Sequence, residues 1–303
     1  MHVTTGNETV IEAWNSILFE KFCRFRHLLT DGLARHSDEL LRRHPPQRGS
    51  LSLDVGCGVG DTTRRLADLA GRDGCARGVD CAPNFVETAR RDAAASGSDN
   101  AHFFVGDVQL ADLRGPYDYA FSRFGTMFYG QPGAALRNIR RALAPGATFH
   151  FIVWRKREDN PWLHAAELCV RELVPVVSHE ETDQVHCGPG PFSMAGPDLV
   201  SDMLYASGFT HVGFERFDAD ICIGRDLDEA VEFAVALGPA GEIMRLAGDT
   251  GRALEPAVRA SLRRTLAAFA RGSGVWAPSS TWFVRATNPT ASAETEMDLS
   301  LSS

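Results

Sequence analysis

The chain has 303 residues, of which 44% are hydrophobic, and a formal net charge of -8, which is the composition of an ordinary globular protein. The acidic balance disfavours nucleic acid as a partner, because a phosphate backbone requires a basic surface. Seven scattered cysteines without a CxxC pair disfavour a disulfide framework and a zinc site, so no bound metal is predicted. The lack of a long apolar run predicts a cytoplasmic protein without a membrane span.

The first segment, residues 1 to 45, carries apolar residues at helical spacing and ends at two prolines, which stop a helix. It is predicted to be a helical leader in front of the core. Short β-rich runs alternate with helical patterns over residues 46 to 154. The predicted strands are Leu51–Val55, Ala76–Asp80, His102–Val105, Tyr117–Phe121 and Thr148–Trp154. This alternation predicts an α/β fold with a Rossmann-like, doubly wound and mostly parallel sheet.

The pattern changes after the fifth strand. Residues 155 to 194 are rich in Pro, Gly, His and acidic residues, which predicts an irregular, substrate-binding insertion with Trp162 and His164 on a short helix. Residues 195 to 287 are predicted to complete the core. The elements predicted there are a helix over 197–207, a β-rich run over 209–223, a helical lid over 225–273 and an antiparallel last strand over 281–286. The polar tail, 288 to 303, is predicted to be disordered.

The strongest motif follows the first strand, which runs directly into glycines at 56, 58 and 60. Glycines let the backbone turn tightly and approach a ligand closely. The GxGxG spacing differs from the GxGxxG fingerprint of dinucleotide sites, which disfavours an oxidoreductase of that kind. Asp54, two residues before the first glycine, can accept hydrogen bonds from a cationic ligand. The ligand implied is a zwitterion with an ammonium group.

Two more acidic residues follow the next two strands. Asp80 ends the second strand, 20 residues beyond Gly60, and is placed to accept hydrogen bonds from both hydroxyls of a ribose. Asp107 follows the third strand and can accept from an adenine amino group, while Val108 or Phe85 covers the ring. The three carboxylates together predict a ligand made of adenosine joined to an amino acid.

On these motifs the sequence resembles the class I S-adenosylmethionine-dependent methyltransferases. The matching segments are LDVGCGVG at 53–60, GVD at 78–80, GDV at 106–108, YDYAFSRFGTMFY at 117–129 and RALAPGATFHFIVW at 141–154. Weaker similarity links the chain to a subgroup of bacterial small-molecule methyltransferases of the natural-product, aminoglycoside or quinone type. That similarity runs through AWN at 13–15, NPW at 160–162, GPFSM at 190–194 and WFVRA at 282–286. The resemblance implies S-adenosyl-L-methionine as cofactor and S-adenosyl-L-homocysteine as product.

The resemblance also implies which residues hold the cofactor. The methionine end would lie against the glycine turn, the ribose against Asp80, the adenine against Asp107, and the sulfonium above residues 122 to 124, with the leader covering the cofactor. The predicted cofactor-binding residues are Trp14, Asp54, Gly56, Cys57, Gly58, Asp80, Cys81, Phe85, Gly106, Asp107, Val108, Ser122, Arg123 and Phe124. Arg123 ends a buried strand, where an unpaired charge would be costly, so we expect a carboxylate partner in the site.

Methyl transfer is an in-line displacement that needs positioning and a dry pocket rather than a metal or a nucleophilic side chain. An amine or hydroxyl acceptor needs a base as well. Candidate bases in the insertion are Glu158, Asp159, His164, Asp183 and His186, of which His164 is favoured. His164 and Arg123 are therefore the predicted catalytic residues.

The acceptor class follows from a motif and from the charge. Residues 122 to 125 read SRFG, without the Asn/Asp-Pro-Pro-aromatic motif of adenine and glutamine methyltransferases, so a small-molecule acceptor is predicted. The acidic balance favours a polyamine or an amino sugar, as in antibiotic biosynthesis. C-methylation of a quinone-like ring and a non-catalytic cofactor-binding module remain alternatives, and the chain could be a monomer or a homodimer.

Overall fold

The computed structural model describes residues 7–175 and 190–290. The described helices are α1 (Glu8–Asn15), α2 (Ile17–Arg24), α3 (Arg26–Leu29), α4 (Ala34–Arg43), α5 (Asp61–Ala70), α6 (Pro83–Ser96), α7 (Pro132–Ala142), α8 (Pro161–Leu173), α9 (Pro197–Ala206), α10 (Leu227–Ala236), α11 (Gly238–Leu246) and α12 (Gly248–Leu266). The described strands are β1 (Leu51–Val55), β2 (Cys75–Asp80), β3 (Ala101–Val105), β4 (Tyr117–Arg123), β5 (Leu143–Trp154), β6 (Thr210–Gly224), β7 (Ala270–Arg271) and β8 (Gly274–Thr287). Two candidate bases, Asp183 and His186, and most of the predicted tail lie outside the described residues.

The strands form one sheet in the order β3-β2-β1-β4-β5-β8-β6, with β7 paired to β8. β1 pairs in parallel with both β2 and β4, and the pairs β2–β3 and β4–β5 are also parallel. The last strand, β8, makes an antiparallel pair with β7. The predicted doubly wound, mostly parallel sheet is confirmed. In such a sheet the order reverses between β1 and β4, the place where these folds bind ligands at the carboxyl ends of their strands.

Contacts within the chain divide it into two compact units. The core unit comprises the described residues of Ser37–Val153, Ser193–Arg216 and Trp282–Ser303, and the helical unit comprises those of Met1–His36, Trp154–Phe192 and Phe217–Thr281. Strands β1 to β4 lie entirely in the core unit, where α5 packs against β1, β2 and β3, and α6 packs against β2 and β3. The fully buried side chains there include Leu53, Val55, Leu66, Val79, Val86, Phe121, Leu136 and Phe149.

The helical unit has a core of its own. Helix α8 packs against α11 and α12, and α10 packs against both of those helices. The Phe233 ring stacks on Trp162 and lies against Phe25, with ring centroids 6.0 and 5.3 Å apart. Helix α12 buries Val258, Leu262 and Leu266, whose spacing places them on one face. None of the described helices is both long and apolar enough to cross a membrane.

Three elements extend or add to the sequence prediction. Helix α8 is longer than the short helix predicted around Trp162 and His164, because its apolar face is buried against other helices of its unit. Strand β5 begins at Leu143, five residues before the predicted start at Thr148, since the backbone there is already extended. Helix α11 lies within the predicted helical lid, although its sequence, GPAGEIMRL, contains two glycines and a proline that usually indicate a loop.

Candidate functional site

The glycine turn lies between the carboxyl end of β1 and α5. Gly58 and Gly60 have backbone φ angles of +53° and +77°, a left-handed conformation that favours glycine. A Cβ on Gly60 would lie 2.5 Å from the Phe103 ring, so this glycine is required for packing. A Cβ on Gly58 would meet only one atom within 4 Å, at 3.9 Å on Phe85. The space above Gly58 is therefore open to a ligand.

A second close approach joins this turn to the end of β4. A Cβ on Gly56 would lie 3.2 Å from the Cα of Gly125, so the two backbones are nearly in contact. Ser122 donates a hydrogen bond from its hydroxyl to the carbonyl of Val55 at 2.7 Å, which ties β4 to β1. The Phe124 backbone is left-handed, at φ +59°. The predicted floor, residues 122 to 124, therefore lies beside the glycine turn.

Asp54 is buried beneath the turn. Its Oδ2 accepts hydrogen bonds from the hydroxyls of Thr62 and Thr63 at 2.6 and 2.7 Å. Its Oδ1 is buried and has no hydrogen-bond partner among the described residues. Burial raises the pKa of this carboxyl to about 6, although the two hydroxyls oppose the shift. An ammonium donor would satisfy Oδ1, so this residue fits the cationic end of the predicted ligand.

Asp80, at the end of β2, is held by backbone donors. Its Oδ2 accepts from the N–H of Gly58 at 2.9 Å, and its Oδ1 accepts from the N–H of Ala82 at 3.0 Å. Burial raises its pKa, and these backbone hydrogen bonds oppose that shift. Each carboxylate oxygen can accept more than one hydrogen bond, so both can still bind a ribose hydroxyl. The bond to Gly58 brings this carboxylate to the glycine turn.

Asp107 follows β3 and is held by a residue that the sequence analysis missed. Its Oδ1 accepts from the backbone N–H and the side-chain amide of Gln109, at 3.0 and 3.1 Å. The Gln109 Oε1 in turn accepts from the N–H of Gln131 at 2.6 Å. The Asn138 amide donates to the carbonyl of Val108 at 2.8 Å. The signal for Gln109 in the sequence was an amide side chain two residues after Asp107.

The carboxylate partner expected for Arg123 is present. The Arg123 guanidinium donates to Asp61 Oδ2 at 2.6 Å, and the two side chains are 9% and 23% exposed. It also donates to the hydroxyl of Ser37 at 3.3 Å. Asp61 is the first residue of α5, immediately after the glycine turn. The pair thus fixes the end of β4 to the helix, and a catalytic role for Arg123 stays a prediction.

The remaining predicted residues of the core unit are buried or half-buried. Cys57 packs against β2, since a Cβ on Gly78 would lie 2.8 Å from its sulfur. Burial raises the pKa of the Cys57 and Cys81 thiols, and neighbouring carboxylates raise them further, so both stay protonated. Phe85 is almost fully buried. A Cβ on Gly106 would lie 3.0 Å from the Ala111 side chain, which shows a close approach there too.

Two predicted residues belong to the helical unit. Trp14 is half-buried on α1. His164 is half-buried on α8, and its Nδ1 is buried without a hydrogen-bond partner among the described residues. Of the other candidate bases, Asp159 forms an ion pair with Arg155 at 2.9 Å. The contacts of Trp14 with cofactor and the role of His164 as base stay predictions.

The chain is similar to known methyltransferases. Residues 53–146 match a family model described as a methyltransferase domain. A demethylmenaquinone methyltransferase from Staphylococcus aureus is 31% identical over 182 residues, which are 58% of this chain and 74% of that protein. The aklanonic acid methyltransferase DauC from a Streptomyces species is 29% identical over 107 residues, or 35% of this chain. The matched region spans about half, 49%, of DauC.

A solved structure shows the same fold. Phosphoethanolamine N-methyltransferase 2 from Haemonchus contortus, in complex with S-adenosylhomocysteine, superposes with a TM-score of 0.55 at 14% identity. The match covers 96% of this chain and 62% of that protein. At this identity the likeness concerns the fold alone.

Proposed function

This chain belongs to the class I S-adenosylmethionine-dependent methyltransferases of small-molecule type, and we propose that its acceptor is a quinone-like ring. The main structural observation in support of methyl transfer is a site that fits the cofactor. The Asp54 Oδ1 is buried without a partner among the described residues, beneath a glycine turn that is open to a ligand. A buried carboxylate oxygen without a donor is costly unless a ligand supplies one. The cofactor's ammonium group is such a donor.

When bound, S-adenosylmethionine would supply an electrophilic methyl carbon to the acceptor's electron pair, with S-adenosylhomocysteine as the leaving group and a proton lost from the acceptor. Asp54 orients the amino-acid end and Asp80 the ribose, from two neighbouring strand ends. The ion pair Arg123–Asp61 holds β4 beside the glycine turn. Correct positioning of this kind supplies much of the rate enhancement in a displacement reaction.

A base is needed wherever the acceptor's proton is not lost spontaneously. We propose His164 for this role, because its Nδ1 is buried and has no partner among the described residues. An imidazole nitrogen in its unprotonated form can accept a proton from the acceptor.

The acceptor assignment rests on the named relatives. One acts on a demethylated menaquinone and another on aklanonic acid, and the first matches this chain over 74% of its own length. The name of the menaquinone relative favours a quinone-like ring over the amino-sugar acceptor. The net charge of -8 supports the second candidate, N- or O-methylation of a polyamine or an amino sugar, because such acceptors are cationic.

The identity of the methylated product distinguishes the two candidate acceptors. The full chain is incubated with methyl-labelled S-adenosylmethionine and a panel of reduced quinones, amino sugars and polyamines, and products are identified by mass spectrometry and carbon NMR. We expect label on a ring carbon of a reduced quinone. Methylation of amino sugars alone would establish the second candidate. No methylated product from a panel broadened to phenols, together with tight binding of S-adenosylhomocysteine, would indicate a non-catalytic cofactor-binding module.

The same assay tests the base. His164→Gln should lower kcat about 10²- to 10⁴-fold with little change in KM. His102→Gln, at an exposed position on β3, is the matched control and should leave kcat unchanged. A His164→Gln variant with wild-type kcat at all pH values would refute the assignment.

A further inference from the structure

Tyr129 is a polar residue that the sequence analysis did not assign. It follows β4 by six residues, after a short turn of helix at Thr126–Phe128. Its hydroxyl oxygen is buried and has no hydrogen-bond partner among the described residues. A buried phenol normally finds a partner, so an unpartnered one points to a group that binds there.

The segment that carries Tyr129 is anchored on both sides to the cofactor site. Before it, Gly125 is in near contact with Gly56 of the glycine turn. After it, the N–H of Gln131 donates to the side chain of Gln109, which holds the carboxylate predicted to bind adenine. These two anchors place Tyr129 between the glycine turn and the adenine side of the site.

The electrostatic surroundings agree with this placement. Burial raises the pKa of the Tyr129 phenol well above its ordinary value. Cys81 and the three predicted cofactor carboxylates raise it further. The hydroxyl therefore keeps its proton and can donate a hydrogen bond.

We propose that Tyr129 donates a hydrogen bond from its hydroxyl to the adenosyl nucleoside of the cofactor and so helps to position it. An adenosyl group offers acceptors on the ribose and on the adenine ring, and a buried phenol that keeps its proton can donate to one of them. The inference rests on the cofactor alone and is independent of the acceptor proposed above.

The test uses Tyr129→Phe, which removes one oxygen and leaves the ring. Calorimetry measures the Kd of the full chain for S-adenosylhomocysteine and for 5′-methylthioadenosine, which has the nucleoside without the amino acid. We expect Kd to rise about three- to tenfold for both ligands, by the same factor, as for the loss of one hydrogen bond. The melting temperature of the ligand-free variant should be unchanged or slightly higher, because an unsatisfied hydroxyl has been removed.

The matched control is Tyr117→Phe. The Tyr117 hydroxyl is buried in the same unit but donates to the carbonyl of Leu113 at 2.6 Å. Removing it leaves that carbonyl without its donor, so the control should lower the ligand-free melting temperature and leave both Kd values unchanged.

Three results would overturn the inference. Tyr129→Phe could bind both ligands as tightly as the wild-type chain, or it could lose ligand-free stability as Tyr117→Phe does, which would mark a structural hydroxyl. A loss of affinity for S-adenosylhomocysteine alone would place the contact at the amino-acid end. A wild-type chain that binds neither ligand would refute the cofactor assignment itself, a result distinguishable from the other three.

Discussion

The three carboxylates of the candidate site differ in what donates to them. Asp54 accepts from two threonine hydroxyls, Asp80 from backbone N–H groups and Asp107 from Gln109. Burial raises the pKa of Asp54 to about 6, because hydroxyl donors compensate desolvation on one oxygen and the other oxygen has no described donor. One residue type thus acquires distinct properties from its immediate neighbours.

The raised pKa of Asp54 predicts pH-dependent cofactor binding. The ammonium group of the cofactor binds the ionised carboxylate, whereas the ligand-free protein holds a proton there below about pH 6. The affinity for S-adenosylhomocysteine should therefore be constant above pH 7 and fall up to about tenfold per pH unit below pH 6. Calorimetry between pH 5 and 8 measures this directly.

Two variants isolate the effect. Asp54→Asn should bind about tenfold more weakly at pH 7.5 and lose the pH dependence, because it cannot ionise. Asp118→Asn is the control, since that carboxylate accepts from the N–H of Leu51 at the opposite end of the strands and should keep the wild-type profile. A wild-type affinity that stays flat down to pH 5 would contradict the argument.

At the scale of single elements, the glycine turn combines two requirements. Gly60 is needed because a side chain would collide with Phe103, which is a packing constraint. Gly58 has room for a methyl group within the protein, so its constraint arises from the left-handed backbone and from the ligand. The two glycines therefore belong to one motif for different physical reasons.

Gly58→Ala tests this separation. The substitution should cost about 1–2 kcal/mol of folding free energy, the price of a left-handed alanine, and weaken S-adenosylhomocysteine binding more than about tenfold by filling the space above the turn. Gly97→Ala is the matched control. Gly97 follows α6, has a left-handed φ of +66°, and a Cβ on it would meet nothing within 4 Å. It should lose similar stability and no affinity. Equal affinities of the two variants, measured by calorimetry, would refute the ligand constraint on Gly58.

At the scale of the whole molecule, buried ionisable groups set the response to acid. His150 is buried on β5 with its ring stacked on those of His44 and Tyr119, at 4.9 and 5.2 Å. Burial lowers its pKa from 6.5 to about 3, and His44 and Arg285 lower it further. Its contribution to stability is fully present above pH 6.5 and is lost as pH falls toward 3. The pH dependence that Asp54 adds to stability has the opposite sign. Its contribution to stability is present below pH 3.8 and is lost as pH rises through about 6.

His150→Phe should therefore reduce the acid sensitivity of the ligand-free chain. Between pH 6.5 and 4.5 the free energy of unfolding of the wild type should fall more steeply than that of the variant, by up to about 1.4 kcal/mol per pH unit. Urea denaturation at several pH values measures both slopes, and the opposite contribution of Asp54 cancels in the comparison. The exposed His102→Gln should keep the wild-type slope, and parallel curves for wild type and His150→Phe would rule the explanation out.

Much of the fold could be predicted from local patterns. The five parallel strands and the helices between them appear in the sequence as alternating periodicities, and the glycine turn appears as a spacing. The full length of helix α8 and the start of β5 were not predicted, because both depend on what these elements pack against. A helix as glycine-rich as α11 has the composition of a loop and is stabilised by its neighbours.

By itself the sequence determined the sheet, the glycine turn and the three carboxylates at successive strand ends, because each depends on residues only a few positions apart. Only the tertiary structure decided which groups meet: Asp61 as the partner of Arg123, 62 residues away, and Gln109 as the link to the segment before α7. It also decided that the Tyr129 hydroxyl is buried without a hydrogen-bond partner among the described residues. Contacts of this kind arise when strands pair and helices pack, and no local spacing encodes them.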